Sequence, residues 1–119
     1  MKIYSVLLVA WLALPARAEE PTAEVKAASG VENRQPTGES SSFKKGERVF
    51  VWSQIRNADG QMVDHVWKRD GQEVWRAHFE VGSSRWRVHS RMPNAATGSY
   101  DVQTVAGERV LGAVHFSVE

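Results

Sequence analysis

From position 48 to the C-terminus, apolar and polar residues alternate in short runs separated by turn formers. Alternation with a period of two marks a half-buried strand. It predicts strands over 48–55, 62–68, 73–81, 84–91, 100–105 and 110–118, after a first strand near 24–29. Asn57-Ala58-Asp59-Gly60, Asp70-Gly71, Gly82-Ser83, the stretch 92–98 and Ala106-Gly107-Glu108 supply the turns. Strand starts recur at intervals of roughly ten to sixteen residues, the rhythm of an all-β sandwich or barrel. Beyond the N-terminal segment, no stretch sustains the 3.6-residue apolar period of a helix.

Two hairpins can be given a register. Gly82-Ser83 suits a type II′ turn, which takes Gly first. That turn sets Glu80 opposite Arg85, His78 opposite Arg87, and Arg76 opposite His89. It also sets Phe79 opposite Trp86 and Ala77 opposite Val88, so one face is apolar and the other charged. Asp70-Gly71 suits a type I′ turn that pairs Val66 with Trp75 and Trp67 with Val74. With Trp75, Ala77 and Phe79 inward, His65 and Trp67 then lie outward beside Arg76, and Asp64 points inward. A β-bulge, or a strand that changes sheets, would remove that conflict. The stretch 30–46 holds Gly30, Pro36, Gly38, Ser40 to Ser42 and Gly46, and reads as a long loop, mobile or functional.

The N-terminus carries a different pattern. Lys2 precedes a mostly apolar run over 3–14, then Pro15 and Ala16-Arg17-Ala18. That is the layout of a secretory signal with a small-x-small cleavage site. The run is shorter than the ~20 residues of a bilayer span. The expected organisation is a signal peptide over 1–18, a tether over 19–23 and one domain over 24–119. The expected location is the periplasm or the medium, with no transmembrane anchor after cleavage. Cleavage removes Lys2 and Arg17 and leaves 13 basic against 14 acidic side chains. No net field then attracts nucleic acid or an anionic membrane, and any electrostatic function rests on local clustering.

There is no cysteine. That excludes a cysteine-borne lipid anchor, disulfides, thiol chemistry and Cys-ligated zinc. Small exported domains often depend on disulfides. This one relies on its core, to which Trp52, Trp67, Trp75, Trp86, Phe43, Phe50, Phe79, Phe116 and Tyr100 are available. Burying one large apolar side chain contributes ~1.5–3 kcal/mol.

Several runs carry a family resemblance. They are Val31-Glu32-Asn33-Arg34-Gln35-Pro36, Gly46-Glu47-Arg48-Val49-Phe50-Val51-Trp52, His65-Val66-Trp67 and Phe79-Glu80-Val81. Arg85-Trp86-Arg87-Val88-His89-Ser90 and Gly98-Ser99-Tyr100-Asp101-Val102 complete the set. Together they resemble a bacterial family catalogued as domain of unknown function 2914, over about residues 24–119. The family usually carries Trp at the position of Tyr100. The resemblance implies a compact β-domain of exported or membrane-associated bacterial proteins, and it implies no activity.

The strongest candidate surface is the charged face of the Gly82-Ser83 hairpin: Arg76, His78, Arg85, Arg87, His89 and Arg91, offset only by Glu80. Like charges directly opposite one another destabilise a sheet. Guanidinium groups there suit bidentate binding of carboxylate, phosphate or sulfate. The competing explanation is a solvated face that discourages edge-to-edge aggregation. His65 and Trp67, two apart on one strand, form a secondary candidate: an imidazole beside an aromatic sugar platform, or ordinary packing. His65, His78, His89 and His115 form no close pair of metal-ligand spacing, so no metal is expected. No nucleophile motif or phosphate-cradling glycine loop is present, and Asp59 and Asp70 belong to turns.

These readings predict an immunoglobulin-like β-sandwich of about seven strands, with a small closed barrel as the alternative. The expected role is a non-catalytic, cofactor-free module that binds an anionic envelope glycan, lipopolysaccharide or peptidoglycan. The alternative is a structural module that binds an envelope protein. Nucleic acid is not an expected partner.

Overall fold

The computed structural model describes residues 19–119, so the signal-peptide expectation lies outside the described residues. The described chain contains no helix. Its strands are β1 (Thr22–Glu32), β2 (Gln35–Glu39), β3 (Ser42–Phe43), β4 (Val49–Arg56) and β5 (Met62–Arg69). They continue with β6 (Gln72–Glu80), β7 (Arg85–Met92), β8 (Gly98–Ala106) and β9 (Arg109–Val118). One sheet has the order β2-β1-β4-β7 and the other β3-β9-β8-β5-β6. This is an immunoglobulin-like sandwich rather than a closed barrel.

Alternation sets which residues meet between the sheets. Val49, Val51, Ser53 and Ile55 of β4 face Val63, His65 and Trp67 of β5 and Val102 and Thr104 of β8, all of them buried. Trp67 lies edge-on to Phe116 at 6.1 Å, and Phe116 stacks on Tyr100 at 5.0 Å. The Tyr100 hydroxyl donates to the Ala96 carbonyl at 2.6 Å. A tyrosine near the start of this strand that bonds a few residues upstream is a recurring corner of the immunoglobulin architecture, here without its disulfide.

The core is not wholly apolar. The Trp67 indole Nε1 donates to Ser90 Oγ at 2.9 Å, and that hydroxyl meets His65 Nδ1 at 2.7 Å. On the other side of the ring, His65 Nε2 meets Ser53 Oγ at 2.7 Å, and Ser53 Oγ meets Thr104 Oγ1 at 2.7 Å. This chain joins β5 and β8 of one sheet to β4 and β7 of the other. No buried side-chain polar atom among the described residues lacks a partner. Burial holds the His65 imidazole neutral and pushes its pKa down to about 4, with the nearby His89 acting in the same direction.

Several sequence expectations need correction. Gly82-Ser83 does not close a hairpin: β6 and β7 belong to different sheets, and β7 pairs with β4. The Gly-Ser step is a crossover between layers. Its glycine lets the backbone approach the Trp86 indole, where a Cβ would come within 2.8 Å of the ring. The Asp70-Gly71 turn does form, with positive φ at both residues, but a bulge follows it. Trp67 pairs with Trp75 and Lys68 with Glu73, leaving Val74 as the extra residue. That one-residue slip turns His65 and Trp67 into the core and Asp64 outward, reversing the expected faces.

The stretch 30–46 is also more ordered in pattern than a loop. β1 runs on to Glu32 and turns at Asn33-Arg34, both with positive φ, into β2. Pro36 is tolerated there because β2 is an edge strand.

One side of the sandwich is closed tightly. Gly112 of β9 lies so close to β1 that a Cβ would overlap the Ala23 carbonyl. Gly112→Ala should therefore cost about 1–3 kcal/mol through overpacking, measured by chemical denaturation. The pH dependence of stability has a defined sign. Because the folded-state pKa of His65 lies below its unfolded value of about 6.5, its contribution is complete above that value. It is lost as pH falls toward about 4. Between pH 7.5 and 4 the native protein should lose on the order of 3 kcal/mol more than His65→Gln. Equal pH slopes for the two proteins would refute that assignment.

Candidate functional site

Opposed residues of an antiparallel pair share a face. The β4–β7 register therefore lines up Arg56 with Arg85, Gln54 with Arg87, Trp52 with His89, and Phe50 with Arg91 on the outer face of the first sheet. Four of the six sequence candidates, Arg85, Arg87, His89 and Arg91, are brought together there. Arg76 and His78 are not. They sit on β6 in the second sheet.

The two sheets treat their basic side chains differently. On the second, Arg76 bonds Asp64 at 3.2 Å and Glu73 at 2.7 Å, while His78 meets Asp64 at 2.7 Å. His115 meets Asp101 at 3.0 Å. The Arg76 hydrogen bond, more than its charge alone, holds the Glu73 carboxyl below the usual range. On the first sheet, no carboxylate among the described residues lies within ion-pair distance of Arg34, Arg56, Arg85, Arg87 or Arg91.

Gln54 organises two of these arginines. Its Oε1 accepts from Arg85 Nε at 3.2 Å and from Arg87 Nε at 3.3 Å. One neutral amide oxygen thus draws two like charges together. Both guanidinium groups keep their terminal nitrogens, the donors suited to a bidentate anion.

The β1–β2 hairpin supplies a second wall. Its tip folds over the sheet face, and the Arg34 carbonyl accepts from the Trp52 indole Nε1 at 2.9 Å. Trp52 is almost completely buried as a result, although it points to the outer side of the sheet. Arg34 occupies the left-handed region at φ 61°, where a non-glycine residue costs ~1–2 kcal/mol. Between hairpin and β7 lies a cavity of about 650 Å³. Val31, Arg34, Trp52, Arg85, Arg87 and His89 contribute to its lining, together with the half-exposed Trp86. A volume of this order accommodates a small ligand or one to a few residues of a polymer.

His65 and Trp67, the secondary candidates, are fully buried and belong to the cross-sheet hydrogen-bond chain. They offer no surface to a sugar. His78 and His89 lie on different sheets, and no group of three metal-ligating side chains is present among the described residues. Sequence reasoning missed Arg34, Trp52 and Gln54. The Asn33-Arg34 step after an alternating run carried a weak turn signal. Nothing local marked Gln54, whose role depends on pairing with a strand more than thirty residues away.

The sandwich is similar to an immunoglobulin-like protein from Pseudomonas aeruginosa, with a TM-score of 0.58 at 11% identity, covering 87% of this chain and 99% of that one. The alkylpurine DNA glycosylase of Pseudomonas fluorescens, solved bound to DNA containing an abasic site analog, gives a TM-score of 0.48 at 12% identity. That match covers 81% of this chain and 30% of the glycosylase. No curated protein matches the chain. A family model described as a protein of unknown function, DUF2914, matches residues 60–118. The matched segment begins just before β5 and ends with β9, so it contains Arg85, Trp86, Arg87 and His89 but not Arg34, Trp52 or Gln54. Residues 60–118 thus match the DUF2914 family, on an immunoglobulin-like sandwich.

Proposed function

We propose that the protein is a non-catalytic, exported binding module whose arginine-lined cavity takes an anionic component of the cell envelope. An acidic glycan or the phosphorylated core of lipopolysaccharide has the required chemistry. The observation that carries this reading is the Arg85–Gln54–Arg87 cluster. Two guanidinium groups share one acceptor oxygen with no carboxylate partner among the described residues. Their mutual repulsion is relieved by an anion. The carboxylate-paired cations of the second sheet lack that incentive.

Arg34 adds a second argument. The tip of a type I′ turn favours Gly at its second position, yet Arg34 occupies it with φ 61°. A strained residue kept beside a cavity is a reason to look for function there.

The first test is co-sedimentation of the purified protein with peptidoglycan, lipopolysaccharide and outer-membrane fractions at low and high salt. Binding should weaken as salt rises, because the contacts are exposed charges. The pair Arg85→Glu with Arg87→Glu should abolish it while leaving the folded β spectrum unchanged. Binding that ignores both salt and the double substitution would overturn the proposal. Arg34→Gly provides a separate check with opposed outcomes. Relieving the left-handed strain should raise stability by about 1 kcal/mol, while the lost guanidinium weakens envelope binding. Stability would be read by denaturation and binding by the same sedimentation assay.

A further inference from the structure

A sandwich of two open sheets has four edges, and three of these are guarded. β2, at one edge of the first sheet, has five residues and carries Pro36 and a left-handed Gly38. β3, at one edge of the second sheet, has two residues. β6, at the other, is broken by the bulge at Val74, and its outward Arg76 and His78 are held by Asp64. Short strands, proline and bulges are the usual means of keeping an edge from pairing.

β7 has none of these. It runs for eight residues, Arg85–Met92, in unbroken register with β4, without proline, glycine or bulge. Its strand partner is β4, so its other edge presents backbone N–H and C=O groups to solvent. What distinguishes it is charge. The outward side chains are Arg85, Arg87, His89 and Arg91, and the arginines among them have no carboxylate partner among the described residues. On its inward side, Trp86 remains 38% exposed at the open flank of the sandwich. That flank is opposite the one closed by Gly112 and β1.

We infer that the free edge of β7 accepts an extended acidic segment of a partner protein as an added strand. The segment carries carboxylates at alternate positions and apolar residues between them. In such a pairing, side chains directly across from Arg85, Arg87, His89 and Arg91 lie on the outer face, where carboxylates complement them. The intervening side chains fall on the flank of Trp86. The same charges discourage a second copy of this chain. Two β7 strands paired antiparallel about Val88 would set Arg85 against Arg91 and Arg87 against His89. The edge is thus closed to itself and open to an acidic strand. This inference concerns the β7 backbone and goes beyond the cavity reading, which concerns side chains alone.

The test uses the purified protein and an acetylated eight-residue peptide alternating Glu and Val, with a Lys/Val peptide as control. Fluorescence or calorimetric titration should show the Glu/Val peptide binding at least about tenfold more tightly than the control. Two further versions carry N-methyl groups, one on each alternate set of amides. Strand addition predicts that one set abolishes binding and the other leaves it intact, because only alternate amides face the edge. Bound peptide should also slow hydrogen exchange at alternate amides of 85–92 by about tenfold or more. If both N-methylated versions bind like the parent, the contact is made by side chains alone and strand addition is overturned. If no peptide binds while an envelope polymer does, the inference fails and the cavity reading stands. If envelope polymers also fail in the sedimentation assay, both fail. Dimerisation of the protein through β7 would likewise overturn the inference.

Discussion

The hydrogen-bond chain through His65 is the constraint on which the basic face of the first sheet depends. It requires Ser53, Ser90 and Thr104 to point into the core at the same level as the imidazole. Once Ser90 points inward, strand alternation forces His89 and Arg91 outward, and Arg85 and Arg87 with them. A one-residue slip of β7 would orphan the buried imidazole and place guanidinium groups in an apolar layer, a cost of several kcal/mol. The surface cations are therefore held in phase by a polar core. In antibody domains of this architecture a disulfide ties the layers beside a buried tryptophan. Here neutral hydroxyls and one uncharged imidazole do so.

Charge is sorted between the layers. Asp64 and Glu73 lie on the second sheet beside Arg76, which they neutralise, and Asp101 there meets the His115 ring. On the first sheet, Lys26 of β1 is held by Glu24 and Glu39. The arginines of β7 and of the hairpin tip face each other across the cavity without such partners. A near-neutral chain thus acquires a local positive field on one face, which its net charge conceals.

The strand pattern of the C-terminal two thirds was legible because alternation and turn chemistry are local. The run 84–91 is an example: its arginines and histidine share a face in the structure as its alternation implied. What it pairs with was not legible. Gly82-Ser83 satisfies the sequence requirements of a hairpin and of a crossover equally, and only contacts with β4 decide between them. The faces of His65 and Trp67 were misassigned for a related reason. A bulge shifts phase by one residue, and nothing at Val74 marks it beyond the awkward Asp64 that the simple register produced. In the stretch 30–46, glycine and proline signalled a loop, whereas its first residues continue β1 and Gln35–Glu39 form the short edge strand β2. Gln54 shows the limit of local reading, since a single glutamine acquires meaning only from the two arginines brought beside it.

The hairpin over Trp52 stands apart from the core it covers. β2 contributes no fully buried residue, and its tip is fastened to the sheet face by one indole hydrogen bond. The opposite wall, β7, is locked in place by the core and lies within the family segment, whereas the hairpin lies outside it. The cavity therefore joins a wall fixed by packing to one whose strand β2 buries no residue fully. Lengthening, shortening or recharging β2 would reshape and recharge the cavity while leaving the buried core untouched.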